Sequence, residues 1–127
     1  MILSGVVSAQ RQPLVRLVVR GPRGQEQTIE ALLDSGFNGT LALPEAVISA
    51  MGWEYRRAKK IMIADGSAVD VAEYRGRILW EGIERPVAVI ATGLQPIVGM
   101  ALPYGYRITI DMVDGGEVRV TAMDGTD

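Results

Sequence analysis

Ala31-Leu32-Leu33-Asp34-Ser35-Gly36-Phe37-Asn38-Gly39-Thr40-Leu41-Ala42-Leu43-Pro44 is the stretch on which the reading of this chain turns. Three apolar residues run into a carboxylate, a hydroxyl and a glycine, the pattern of a buried strand that ends in a tight bend. A carboxylate placed there is partly desolvated and fixed in direction. The glycine lets the chain bend and leaves room for a ligand backbone to come close. Such a mounting suits an acid-base group, and a second carboxylate facing it would let the two share a proton and activate a water between them.

Working outward, 127 residues with 48% hydrophobic and only 6% aromatic content suit one domain over residues 1–127, its core built from aliphatic side chains on strands. The formal net charge of −2 argues against a polyanion partner. The most basic run, Arg56-Arg57-Ala58-Lys59-Lys60, lacks interleaved aromatics and reads as a solvated stretch of strand, so no nucleic acid is expected. Histidine and cysteine are both absent, which excludes Ser-His-Asp and Cys-His chemistry, thiolate or imidazole zinc sites and disulfides. The acidic residues are scattered, so neither a metal nor another cofactor is predicted. Met1 to Ala9 has no basic leader and is broken by Ser4-Gly5, and no run is long enough to span a membrane. The expectation is a soluble cytoplasmic protein.

Strand signals recur at short spacing. Leu14 to Arg20 and Thr28 to Leu33, separated by the turn Gly21-Pro22-Arg23-Gly24, read as a meander leading into Asp34. Pro44 fits a first helical position and Gly52 a C-terminal cap, with Val47, Ile48 and Met51 on one face between them. Lys60 to Ile63 and Val69 to Val71 predict a hairpin tipped at Ala64-Asp65-Gly66-Ser67, where Asp65-Gly66 favours a tight primed turn. Further pairs are Ile78 to Trp80 with Pro86 to Ala91 around Glu81-Gly82, and Tyr106 to Met112 with Glu117 to Thr121. Between them Ile97-Val98-Gly99 reads as a buried strand ending in a close backbone approach. The fold class is all-β, mainly strand with one or two short helices, and residues 124–127 are expected to fray.

In this order, Asp34-Ser35-Gly36, the Asp65-Gly66 hairpin and Ile97-Val98-Gly99 resemble the retropepsin-like aspartic proteases, the single-domain relatives of pepsin. The likeness is nearest to the small prokaryotic subgroup. Its catalytic segment resembles Asp34 to Pro44, and its end resembles Gly99-Met100-Ala101-Leu102 followed by Tyr106-Arg107-Ile108-Thr109-Ile110-Asp111. It covers roughly residues 28–120. Viral-type members carry alanine and then a small polar or acidic residue where this chain has Phe37 and Asn38, a departure that the prokaryotic subgroup shares at the phenylalanine.

The resemblance implies a closed acid-protease-type β-barrel and, because the chain has one such tripeptide, a homodimer whose twofold axis brings two Asp34 carboxylates into one cleft. It implies an aspartic endopeptidase acting on extended peptide or protein substrate without cofactor. Asp34 would be catalytic and Ser35 would bond across the axis. Gly36 would offer its backbone to substrate, and Phe37 and Asn38 would wall the site. Ala64, Asp65, Gly66 and Ser67 would form a flap, and Ile97, Val98 and Gly99 would back the catalytic loop. Two other readings stay open at this point: a catalytically silent dimeric module that binds extended peptide in the same groove, and a nucleic-acid-binding barrel using Arg56 to Lys60.

Overall fold

The alternation in Leu14 to Arg20 has its physical counterpart in a strand whose Val15, Leu17 and Val19 face inward, all at most 2% exposed. In the structure, a computed structural model that describes residues 1–93 and 95–124, this is the second of ten strands among the described residues. They are β1 (Leu3–Val7), β2 (Pro13–Arg20), β3 (Glu26–Leu33), β4 (Leu41–Pro44), β5 (Glu54–Met62), β6 (Ala68–Trp80), β7 (Ile83–Thr92), β8 (Ile97–Val98), β9 (Arg107–Ile110) and β10 (Glu117–Thr121). One helix, α1 (Glu45–Met51), follows β4. Of the expected fraying over 124–127, residues 125–127 lie outside the described residues. No described helix is long and apolar enough to cross a membrane.

The strands form one sheet in the order β5-β6-β7-β4-β8-β3-β2-β1-β10-β9. The sheet curls until β2 meets β6, and the seam holds one register pair, Val19 with Ile78. Both side chains are 0% exposed. Burying two such side chains contributes about 3–6 kcal/mol, against about 1 kcal/mol net for one ladder hydrogen bond. Packing, not pairing, therefore dominates where these two strands meet.

The core follows the period-2 pattern of each strand: Ile29, Ala31 and Leu33 from β3, Ile78 and Trp80 from β6, Val87 and Val89 from β7, and Val118 and Val120 from β10. The strand β4 departs from alternation, because Leu41, Ala42 and Leu43 are all buried. It lies between β7, to which it is parallel, and β8, and its unbroken apolar run reflects burial on both faces. The helix α1 follows directly. Pro44 stands one position ahead of its expected place, as the N-cap, with φ −59° and no N–H to leave unpaired. Gly52 ends the helix in the left-handed conformation at φ 66°, its N–H donating to the carbonyls of Ile48 and Ser49, both at 3.1 Å.

The long strand β6 has two parts. From Glu73 to Trp80 it is laddered to β7, whereas Ala68 to Ala72 pair with β5 alone. The outer part is thus a two-stranded ribbon that leaves the sheet. Its turn is not the tight primed one expected at Asp65-Gly66. The Gly66 N–H donates to the Ile63 carbonyl at 2.9 Å, the Ile63 N–H to the Ser67 carbonyl at 2.9 Å, and only Gly66 has positive φ, 86°. A primed turn of type I′ needs two such residues, so the loop is the longer form with a left-handed glycine closing it. The type I′ signature occurs instead at Glu81 (φ 54°) and Gly82 (φ 77°), between Trp80 and Ile83.

Candidate active site

The seven residues from Asp34 to Thr40 bridge two strands that are not neighbours. The strand β8 stands between them, parallel to β3 through Leu32–Ile97 and Leu33–Val98 and antiparallel to β4 through Leu41–Val98 and Ala42–Ile97. The loop therefore crosses over the end of β8 and is tied to it from below. The Asp34 N–H donates to the Val98 carbonyl at 3.0 Å. Past the strand, the N–H groups of Gly99, Met100 and Ala101 donate to the carbonyls of Thr40, Phe37 and Gly39 at 3.1, 2.8 and 3.1 Å. Val98 itself is 0% exposed. A Cβ on Gly99 would overlap the Gly39 carbonyl, so the close backbone approach read from the sequence has a definite partner.

Within the loop, Asp34 Oδ1 accepts the Gly36 N–H at 2.8 Å and the Asp34 carbonyl accepts the Phe37 N–H at 3.2 Å. The first bond fixes the carboxylate by its own following backbone and the second closes the main-chain turn, a local arrangement that aspartate is suited to make. Asp34 and Phe37 are half-buried, while Ser35, Gly36 and Asn38 are exposed. The Phe37 ring lies over two glycines: a Cβ on Gly39 would meet its Cζ at 2.5 Å and one on Gly99 its Cδ2 at 2.6 Å. The glycines thus make room for the phenylalanine that separates this loop from the viral-type pattern.

Asp34, Gly36, Phe37 and Asn38 line a cleft of about 900 Å³ whose other side is the β5–β6 ribbon. Ile61, Met62, Ile63 and Ala64 face it from that side, and Ile90 from β7 lies deeper. Of the four residues predicted as a flap, Ala64 alone lines the cleft; Asp65, Gly66 and Ser67 form the tip beyond it. There Asp65 Oδ1 accepts both the Ser67 hydroxyl at 2.6 Å and the Ser67 N–H at 2.8 Å. The hydroxyl first, and then the backbone N–H, hold the Asp65 carboxyl below its ordinary value of 3.8. A second cavity, about 490 Å³ beside Trp53, Tyr74 and Pro86, contains none of the predicted site residues.

The feature that sequence reasoning missed is Glu73, which also lines the cleft. It is 1% exposed and is the buried charged residue of the described core. Three cations converge on it: Arg57 Nε at 3.0 Å, Arg56 Nη1 at 3.4 Å and Lys59 Nζ at 3.7 Å. A shift of register between Tyr55 and Arg57 leaves Arg56 as an extra residue in β5. That bulge turns it to the side that Arg57 and Lys59 share by alternation. The basic run is therefore organised around one carboxylate rather than merely solvated. Its legible trace was the density of cations; their partner lies on another strand and gave no local signal.

Trp53 and Trp80 are buried, with their indole N–H groups donating to the Arg20 carbonyl at 2.7 Å and the Tyr106 hydroxyl at 3.1 Å, whereas Tyr104 is 86% exposed. No group of three acidic, histidine or cysteine side chains is placed to hold a metal among the described residues. No protein-family model and no curated protein matches the chain.

Proposed function

We propose that the chain is an aspartic endopeptidase of the retropepsin-like kind, acting as a homodimer in an acid-protease-type barrel. The observation that carries this reading is the seat of Asp34. It is a half-buried carboxylate on a loop tied to an inserted strand, opening on a large cleft opposite a two-stranded ribbon. An extended peptide would lie in that cleft as an added strand, under the ribbon. The second carboxylate would be Asp34 of a symmetry-related copy. Two carboxylates at close range do not both ionise, so one holds a proton while the other acts as base on a water between them. The water attacks the peptide carbonyl as its proton passes to the base, and the protonated partner supplies a proton to the developing oxyanion. Collapse of that intermediate with protonation of the amide nitrogen breaks the C–N bond.

One observation favours a second reading, a catalytically silent peptide-binding module. The Asp34 Oδ1 bond to Gly36 N–H is a local turn contact that a purely structural aspartate also makes. Wild type and Asp34→Asn compared on an unstructured protein between about pH 4 and pH 7 separate the two, since paired carboxylates titrate in that span. Hydrolysis by the wild type alone supports the protease, and cleavage that survives the substitution removes it. Sedimentation gives the complementary result, because a strict monomer cannot assemble the pair.

A further inference from the structure

One carboxylate balances one charge, and Glu73 faces three. The two arginines and Lys59 keep 44%, 56% and 41% of their side chains exposed, so the excess positive charge is not sealed in the core, although Arg56 lines the second cavity and not this cleft. Glu73 Oε2 is occupied by Arg56 and Arg57, while Lys59 approaches Oε1 at 3.7 Å, beyond hydrogen-bond reach. The ammonium thus has donors to spare, and Lys59 lines the same cleft as Asp34. Around it the cleft is aliphatic and aromatic, through Phe37, Leu41, Ile61, Met62, Ile63 and Ile90.

We propose that Lys59 makes this cleft select peptides carrying an acidic side chain among aliphatic ones, while Arg56 and Arg57 hold Glu73. The inference rests on the peptide-binding reading of the cleft and adds the class of sequence it accepts. An acidic side chain would give Lys59 the charge-assisted hydrogen bonds that Glu73 leaves unmade. A basic side chain at the same place would meet the Lys59 ammonium, and that like charge rejects it. A polyanion fits less well: the cleft offers one lining cation, Lys59, enough for a single acidic side chain but flanked by the carboxylates of Asp34 and Glu73 that would repel a run of phosphates.

Binding rather than turnover tests this. The Asp34→Asn protein is titrated with labelled peptides of alternating valine and serine in which one glutamate, glutamine or lysine is placed at each position in turn. At the best position the glutamate peptide is expected to bind about tenfold or more tighter than the lysine peptide. The Lys59→Glu change inverts that order, and Lys59→Gln, the milder variant should the reversal disturb folding, brings the ratio close to one. An unchanged order in either variant, no discrimination, no peptide binding at all, or tighter binding of a single-stranded oligonucleotide than of any acidic peptide overturns the proposal. Hydrolysis by the wild type is scored separately, so a silent cleft that still prefers acidic peptides refutes the protease and keeps this selection.

Discussion

Gly99 meets Gly39 backbone to backbone, with the Phe37 ring closing over both. A Cβ at position 99 would overlap the Gly39 carbonyl oxygen and stand 2.6 Å from Phe37 Cδ2. The carbonyl belongs to a loop already tied to residues 98–101 by four hydrogen bonds and has little freedom to move. Gly99→Ala is therefore expected to cost about 1–3 kcal/mol through overpacking. Gly93→Ala, where nothing among the described residues beyond its chain neighbours lies within 4 Å, should change stability by less than about 0.5 kcal/mol. Urea denaturation of the two variants checks this, and equal losses would refute the close approach.

The Asp34 side chain has a structural bond that one substitution keeps and another removes. Asparagine retains an oxygen for the Gly36 N–H, whereas Asp34→Ala leaves that donor to solvent. Asp34→Ala should lose about 0.5–1.5 kcal/mol and Asp34→Asn distinctly less, while on the proposed protease reading both abolish hydrolysis. Thermal melts beside an activity assay decide it, and a large loss of stability in the asparagine variant would count against this account.

Two carboxylates on β6 invite a direct comparison. Asp70 pairs with Lys60 at 3.0 Å, but the two side chains are 65% and 76% exposed, so Asp70→Asn should cost no more than about 1 kcal/mol. Glu73→Gln keeps the shape yet leaves three cations facing one another, and should cost about 1.5–3 kcal/mol. Added salt should shrink that deficit, because the cations are partly exposed and their repulsion is screened. A salt-independent Glu73→Gln deficit would refute the charge imbalance.

At the ribbon tip the dependence is on pH. The folded-state value of Asp65 lies below 3.8, so the order it gives the tip is complete above 3.8 and is lost as pH falls through the lowered value. The NMR signals of the Ser67 amide should report this transition in acid, and Asp65→Asn should abolish it. A Ser67 amide titrating above 3.8 would show the sign to be wrong.

Much of the fold was legible because its signals are local. Val15, Leu17 and Val19 alternate, and Gly52 caps a helix whose buried residues are Ile48 and Met51. The strand β1 was not legible. Ser4 and Gly5 interrupt its apolar pattern, and the reason for Gly5 lies elsewhere, in the Leu14 carbonyl that any Cβ there would strike. Asp65-Gly66 and Glu81-Gly82 show the limit of turn chemistry: the likelier-looking dipeptide lacks the two positive φ angles, and the poorer one has them. The Asp34 loop was readable from its glycines, but Glu73 was not. Its significance comes from a bulge at Arg56 and from strand pairing, neither of which leaves a mark beside it in the chain.

The division of β6 at Glu73 has a mechanical meaning. Outward of that residue the ribbon is held by β5 alone over five residues, Ala68 to Ala72, an arm of about 17 Å at strand spacing. Inward, the same strand runs on into the core as far as Trp80. The arm is a cantilever with its root clamped in the sheet, and the Glu73 cluster sits at the clamp. Its stiffness is set at that root, so substitutions at Arg56, Arg57 or Lys59 would loosen the whole arm more than substitutions at the tip itself.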